Sequence, residues 1–205
     1  PFITQSTFFN FFQTVMSLTS SSSLHNLLIF LSLIATLQLT STFPQSSQNE
    51  LESLTLKCKF ESSEDKGRSY YTCYAIGLEN HHPNANFSDV IGEHLEGKEN
   101  GDVEALIIKQ QNVTFLPDGI GSIFENLVRL EVTKSGLTEV KKSNFDGLNL
   151  ETLKLRKNQI KKVEKDSFED LTALTELYLN HNEISELDGE VFASNSQLEV
   201  LQLEN

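Results

Sequence analysis

From Val103 onward the chain repeats one arrangement of apolar and polar positions. Leu127, Leu150, Leu174 and Leu198 open equivalent segments at spacings of 23, 24 and 24 residues, each followed by the pattern LxxLxLxx. Leu127, Leu130 and Val132 precede Ser135 and Leu137; Leu150, Leu153 and Leu155 precede Asn158 and Ile160; Leu174, Leu177 and Leu179 precede Asn182 and Ile184. Leu198, Leu201 and Leu203 begin another copy. Val140, Val163 and Leu187 hold one further landmark, and Phe145, Phe168 and Phe192 hold another. A weaker copy starts at Val103 with Leu106, Ile108, Gln111, Val113 and Leu116. A helix or strand period alone does not generate such a long match, so the unit is a repeat of 23 to 24 residues.

The pattern predicts its own architecture. In LxLxx the two leucines lie on one side of a short strand, because alternate side chains face opposite sides. Strands of successive repeats then pair as a parallel sheet. Asn158 and Asn182 stand where the chain leaves each strand, and a side-chain amide there can donate to and accept from backbone groups that would otherwise be buried unpaired. Gln111 and Ser135 take that place in the first two copies, where the ladder should be less regular. The phenylalanines fill a wider outer layer and so curve the stack. The expected fold is an α/β solenoid: a horseshoe with a parallel β-sheet on its concave face and short helical, 3₁₀ or loop segments on its convex side.

The end of such a stack exposes its core and needs a cap, which residues 43–102 are placed to supply, ahead of repeats over 103–205. Leu54, Leu56, Cys58 and Phe60 alternate at strand period, and after a polar turn containing Asp65, Lys66 and Gly67 so do Tyr71, Cys73 and Ala75. This predicts a β-hairpin with the two cysteines facing each other. Cys58 to Cys73 is the one intrachain disulfide the sequence allows, and closing a loop of this length stabilises by about 3 kcal/mol. Two reduced, buried thiols are the alternative. No Cys or His spacing suits a tetrahedral metal, and His81, His82 and His94 read as solvated loop histidines.

Charge divides the chain. No Asp, Glu, Lys or Arg occurs before Glu50. Met16 is the only methionine, and it is followed by a polar run, an apolar stretch from Leu27 to Leu39, and small residues at Thr40, Ser41 and Thr42. That order describes a signal peptide over 16–42, with residues 1–15 as non-native upstream sequence. The stretch is short of the roughly 20 apolar residues of a bilayer span, although no Lys or Arg precedes it, and a buried or anchoring helix is the alternative. The net charge of −13 disfavours phosphate backbones and anionic membrane surfaces, so no nucleic-acid partner and no membrane insertion beyond the signal are expected. Sequons at Asn86 and Asn112 fit export, and Asn112 occupies a slot that should face solvent.

With these residues the chain resembles extracellular leucine-rich repeat proteins, the class containing Toll-like ectodomains and many secreted insect proteins. The repeats carry the resemblance over Val103–Asn205. The segment LKCKFESSEDKGRSYYTCYAIGLE, followed by IGEHLEGKENGDVEAL, looks like the N-terminal region of secreted dipteran repeat proteins. The resemblance implies a curved binding module, secreted or on the outer face of the plasma membrane, with no catalytic residues and no cofactor. No nucleophile elbow, phosphate loop or HExxH motif appears. Exposed positions on the inner strands would line the concave face: Arg129, Lys134, Lys154, Arg156, Lys157, Glu176 and Tyr178 form a basic stripe with an aromatic anchor. The stripe suits an acidic protein surface or a sulfated glycan, in immune recognition or cell contact. The rival readings are a matrix protein without a regulated ligand and the ectodomain of a signalling receptor.

Overall fold

The computed structural model describes residues 51–204. Segments 1–15 and 16–42, read above as upstream sequence and signal peptide, lie outside the described residues.

Apolar residues at every second position produce short strands wherever the repeat predicts them. In chain order these are β1 (Glu52–Asp65), β2 (Arg68–Ala75), β3 (Glu79–Asn80), β4 (Ala85–Ile91), β5 (Ala105–Lys109), β6 (Asn112–Val113), β7 (Arg129–Thr133), β8 (Glu139–Val140), β9 (Thr152–Lys154), β10 (Lys162–Val163), β11 (Glu176–Tyr178) and β12 (Val200–Gln202). An eight-stranded sheet runs in the order β12-β11-β9-β7-β5-β2-β1-β4. From β2 to β12 every step between neighbours is parallel. The register stacks Leu106, Leu130, Leu153, Leu177 and Leu201 in one line, and the first four are fully buried. Each contributes roughly 1.5–3 kcal/mol by leaving water. The side opposite the sheet is built of tight turns, a single helical turn α1 (Ile120–Ile123), a 3₁₀ segment at Lys142–Phe145 and the small parallel pair β8–β10. Inside it the rings of Phe145, Phe168 and Phe192 follow one another, the first pair tilted with centroids 6.0 Å apart and the second stacked at 5.9 Å.

The asparagines close the backbone accounts at the strand exits. Asn158 Oδ1 accepts from the Ser135 and Gly136 amides, and its Nδ2 donates to the carbonyls of Val132 and Leu155. Asn182 accepts from Ile160 N–H and donates to the carbonyls of Leu155 and Leu179. Ser135 makes a shorter reach, donating to Thr133 O at 3.1 Å, while Gln111 turns away to accept from Leu78 N–H at 2.8 Å.

The cap differs from a separate layer laid over the end of the stack. β1 and β2 form the predicted hairpin around Lys66 and Gly67, both at positive φ (52° and 82°), the backbone twist that a two-residue turn between antiparallel strands favours. β2 then pairs in parallel with β5, so the hairpin continues the repeat sheet and its hydrogen bonds seal the edge. Cys58 and Cys73 are disulfide-bonded, Cα to Cα 5.3 Å. They do not face each other directly: Cys58 lies opposite Ala75 and Cys73 opposite Phe60, so the bridge is diagonal across one buried face. Replacing both cysteines with serine should lower stability by about 3 kcal/mol in urea denaturation; an unchanged midpoint would mean that the sheet alone holds the hairpin. His94 departs from a solvated loop residue. It stacks on Phe60 at 3.9 Å, hydrogen-bonds the Tyr71 hydroxyl at 2.8 Å and reaches Asn100 Oδ1 at 3.1 Å, tying the loop after β4 to the hairpin.

Candidate binding face

The outward side of the repeat strands carries the residues expected to meet a partner, but the hairpin lies across part of it. β1 has 14 residues against five in β5 and β7, and β2 pairs with β5 only over Thr72–Tyr74. The remaining arm projects beyond the sheet edge and bends over the strand face. Its tip spans β5, β7 and β9 to reach β11.

Charge holds it there. Asp65 pairs with Arg129 on β7 and, at 3.1 Å, with Lys154 on β9. Lys66 pairs with Glu176 on β11. Arg68 Nη1 donates to Glu151 at 2.6 Å, and the Tyr70 ring lies under the guanidinium groups of Arg68 and Arg129, 4.9 and 5.8 Å from its centroid. As a result Arg129, Glu131, Thr133 and Thr152 are buried rather than exposed. Arg129 also contacts Glu131, yet its Nε is left without a hydrogen-bond partner. The cleft between arm and sheet, about 310 Å³ and lined by Ser63, Asp65, Tyr74, Ile107, Arg129 and Glu131, is at the lower limit for a small-molecule site and far too small for a macromolecule.

Two groups on this face have shifted acidities. Burial, then the neighbouring Arg129, hold the Lys154 ammonium below its ordinary value, and Lys154 lies 5.4 Å over the Tyr178 ring. For Glu176 burial opposes ionisation, but hydrogen bonds from Lys66 and Tyr178 outweigh it and hold the carboxyl below its usual value of 4.5. A carboxyl depressed in the folded state stabilises above its unfolded pKa, and that contribution disappears as pH falls through the folded one. The tip should therefore loosen in acid. Amide protection over residues 65–70, corrected for intrinsic exchange, is expected to fall below about pH 4.5, whereas equal protection in acid and at neutrality would contradict this.

The predicted stripe thus separates into two sets. Arg129, Lys154 and Glu176 are engaged by the hairpin, and Tyr178 is half-buried beside them. Lys134, Arg156 and Lys157 stay exposed at the strand exits, next to Lys109. Sequence reasoning did not assign Asp65, Lys66 and Arg68 to this face. The usable signal was length: alternation beginning at Leu54 and continuing to a turn at Lys66–Gly67 makes an arm longer than any repeat strand. The two sequons also differ. Asn112 is exposed, with its Nδ2 on Glu79 Oε1 at 2.9 Å. Asn86 is half-buried in β4, its Nδ2 on the Phe87 carbonyl and its Oδ1 against Gly119, where even an added Cβ would come within 2.6 Å. Among the described residues no His, Cys, Asp or Glu cluster could hold a metal ion, and no helix is long and apolar enough to cross a membrane.

A family model for the Leucine rich repeat matches residues 125–184 and 149–205. Those residues are therefore leucine-rich repeats, a type of unit that generally mediates protein–protein contacts and is typically not enzymatic. No curated protein matches the chain.

Proposed function

We propose that this chain, whose residues 125–205 are leucine-rich repeats, is an extracellular protein-binding module that engages its partner through the part of the strand face its own hairpin leaves open. The observation carrying the reading is the division of that face: the hairpin arm fills its centre, and cations stand uncovered at the strand exits. The disulfide between Cys58 and Cys73 suits an oxidising compartment, and exposed Asn112 is the better placed of the two glycan acceptors. In this reading the stack curves into a horseshoe with the strand face on its concave side. The apolar stretch Leu27–Leu39 directs export, and the module works in immune recognition or cell contact, as the resemblance to secreted repeat proteins implies.

The test is to express the chain in secreting cells and probe an array of purified extracellular proteins with the product. Secretion with the disulfide formed, and saturable binding to a small number of partners, are expected. Retention in the cytosol with both thiols open to alkylation would overturn the extracellular assignment, and a secreted product that saturates on nothing would overturn the binding role.

A further inference from the structure

Sixteen lysines and arginines occur in the sequence against twenty-nine acids, so an unpaired cation is the exception. Eleven of the sixteen lie beside a carboxylate: Lys59, Lys66, Arg68, Lys98, Arg129, Lys141, Lys142, Lys154, Lys161, Lys162 and Lys165. The other five, Lys57, Lys109, Lys134, Arg156 and Lys157, make no ion pair among the described residues. Four of these five converge on one edge of one sheet. Lys109 ends β5 opposite Thr133 at the end of β7, and extending the β7–β9 register places Arg156 beside Thr133 and Lys157 beside Lys134. Gln110, Lys134, Lys157 and His181 are the residues at positive φ (55°, 55°, 59° and 58°) in successive repeats, all exposed where the chain turns out of its strand. With neighbouring strands about 4.8 Å apart, the cations after β5, β7 and β9 make a column spanning roughly 10 Å.

We infer that this column, Lys109, Lys134, Arg156 and Lys157, is the docking edge for an acidic, extended segment of a partner protein. The inference rests on the protein-binding reading above and narrows it to a place and a chemistry. Charge complementarity selects an anionic occupant, since self-repulsion would otherwise disfavour a run of uncovered cations. The choice of a polypeptide over a polysaccharide comes from the neighbouring strands: the same face already receives an extended acidic segment, Ser63–Glu64–Asp65, whose Asp65 carboxylate sits between Arg129 and Lys154. The column lies directly beyond that seat along the same strands. Gln110, exposed where the chain leaves β5, supplies a hydrogen-bonding group suited to a peptide backbone.

The probe is a synthetic twelve-residue peptide with glutamate at alternate positions, against its glutamine counterpart. The proteins are the full chain, a column variant (Lys134→Glu, Arg156→Glu, Lys157→Glu) and a control with the same charge change on the outer turns (Lys161→Glu, Lys162→Glu, Lys165→Glu), each checked for folding by circular dichroism and thermal melting. The acidic peptide should bind the unaltered chain with an affinity that falls as salt rises. The column variant should lose about tenfold and the control less than about twofold. Equal losses in both variants would overturn the inference, leaving only net charge. Three other results also overturn it: binding of heparin but not peptide at the column, which would assign the edge to a sulfated glycan; concentration-dependent self-association abolished by the column variant, which would assign it to a second copy; and undiminished binding of the column variant to a partner found on the protein array. The last sinks this inference while the protein-binding reading stands.

Discussion

Replacing Phe168 with alanine is expected to cost about 3–5 kcal/mol and to lower the melting temperature by on the order of 10 °C. Phe168 is fully buried, with Phe145 on one side and Phe192 on the other at about 6 Å. Neither neighbour can collapse into the space, because each is itself fixed by the turn of its own repeat, so the cavity persists along with the lost transfer energy. Phe192, only partly buried, provides the comparison and should cost clearly less. Equal effects at the two positions, measured by urea denaturation, would mean that the aromatic line does not act as a packed spine.

The second large effect is expected at Asn158. Its side chain satisfies two amides and two carbonyls inside the stack. Alanine there strips this partner from the two amides and the Val132 carbonyl, while Leu155 O keeps Asn182 Nδ2; with each unsatisfied buried group costing roughly 1–3 kcal/mol, partly recovered by relaxation, the loss should reach about 3–5 kcal/mol. Aspartate should be similarly damaging because it cannot donate to Val132 and Leu155 and would bring a charge into the interior. Ser135→Ala removes only a hydroxyl that donates to carbonyls at the equivalent position of the preceding repeat and should cost about 1 kcal/mol. An Asn158→Ala midpoint no lower than that of Ser135→Ala would show that water takes over the ladder.

Where one residue type serves one geometry, the sequence announces the structure. The LxLxx leucines, the two asparagines and the three phenylalanines recur at a fixed spacing because each repeat poses the same packing problem, and their burial and stacking follow. The hairpin turn was equally visible in Lys66–Gly67, since both residues must adopt positive φ. Strand β4 was not visible: its pairing with β1 shifts register between Leu54 and Thr55, and this breaks the alternation that would identify Ala85–Ile91. The role of His94 was hidden for a different reason. Its partners Phe60, Tyr71 and Asn100 are 34, 23 and 6 residues away, and no local spacing links them.

The candidate site was legible by residue type but not by occupancy. Alternation placed Arg129, Lys154 and Glu176 on the outward side of their strands, where they are. It could not show that Asp65 and Lys66, 64 to 110 residues earlier, fold back to meet them. A contact between distant segments depends on how far the hairpin arm projects and how it bends, and these are properties of the assembled sheet. The consequence for function is specific: a basic stripe read as one surface becomes an internal anchor beside an open edge.

The arrangement of that face is tested most directly by zero-length carbodiimide cross-linking of the folded chain, followed by peptide mass analysis. Internal links Asp65–Lys154 and Lys66–Glu176 are expected, with Lys109, Lys134 and Lys157 free of intrachain links and readily acetylated. Absence of the hairpin links, or carboxylates of this chain joined to the three edge lysines, would contradict this arrangement.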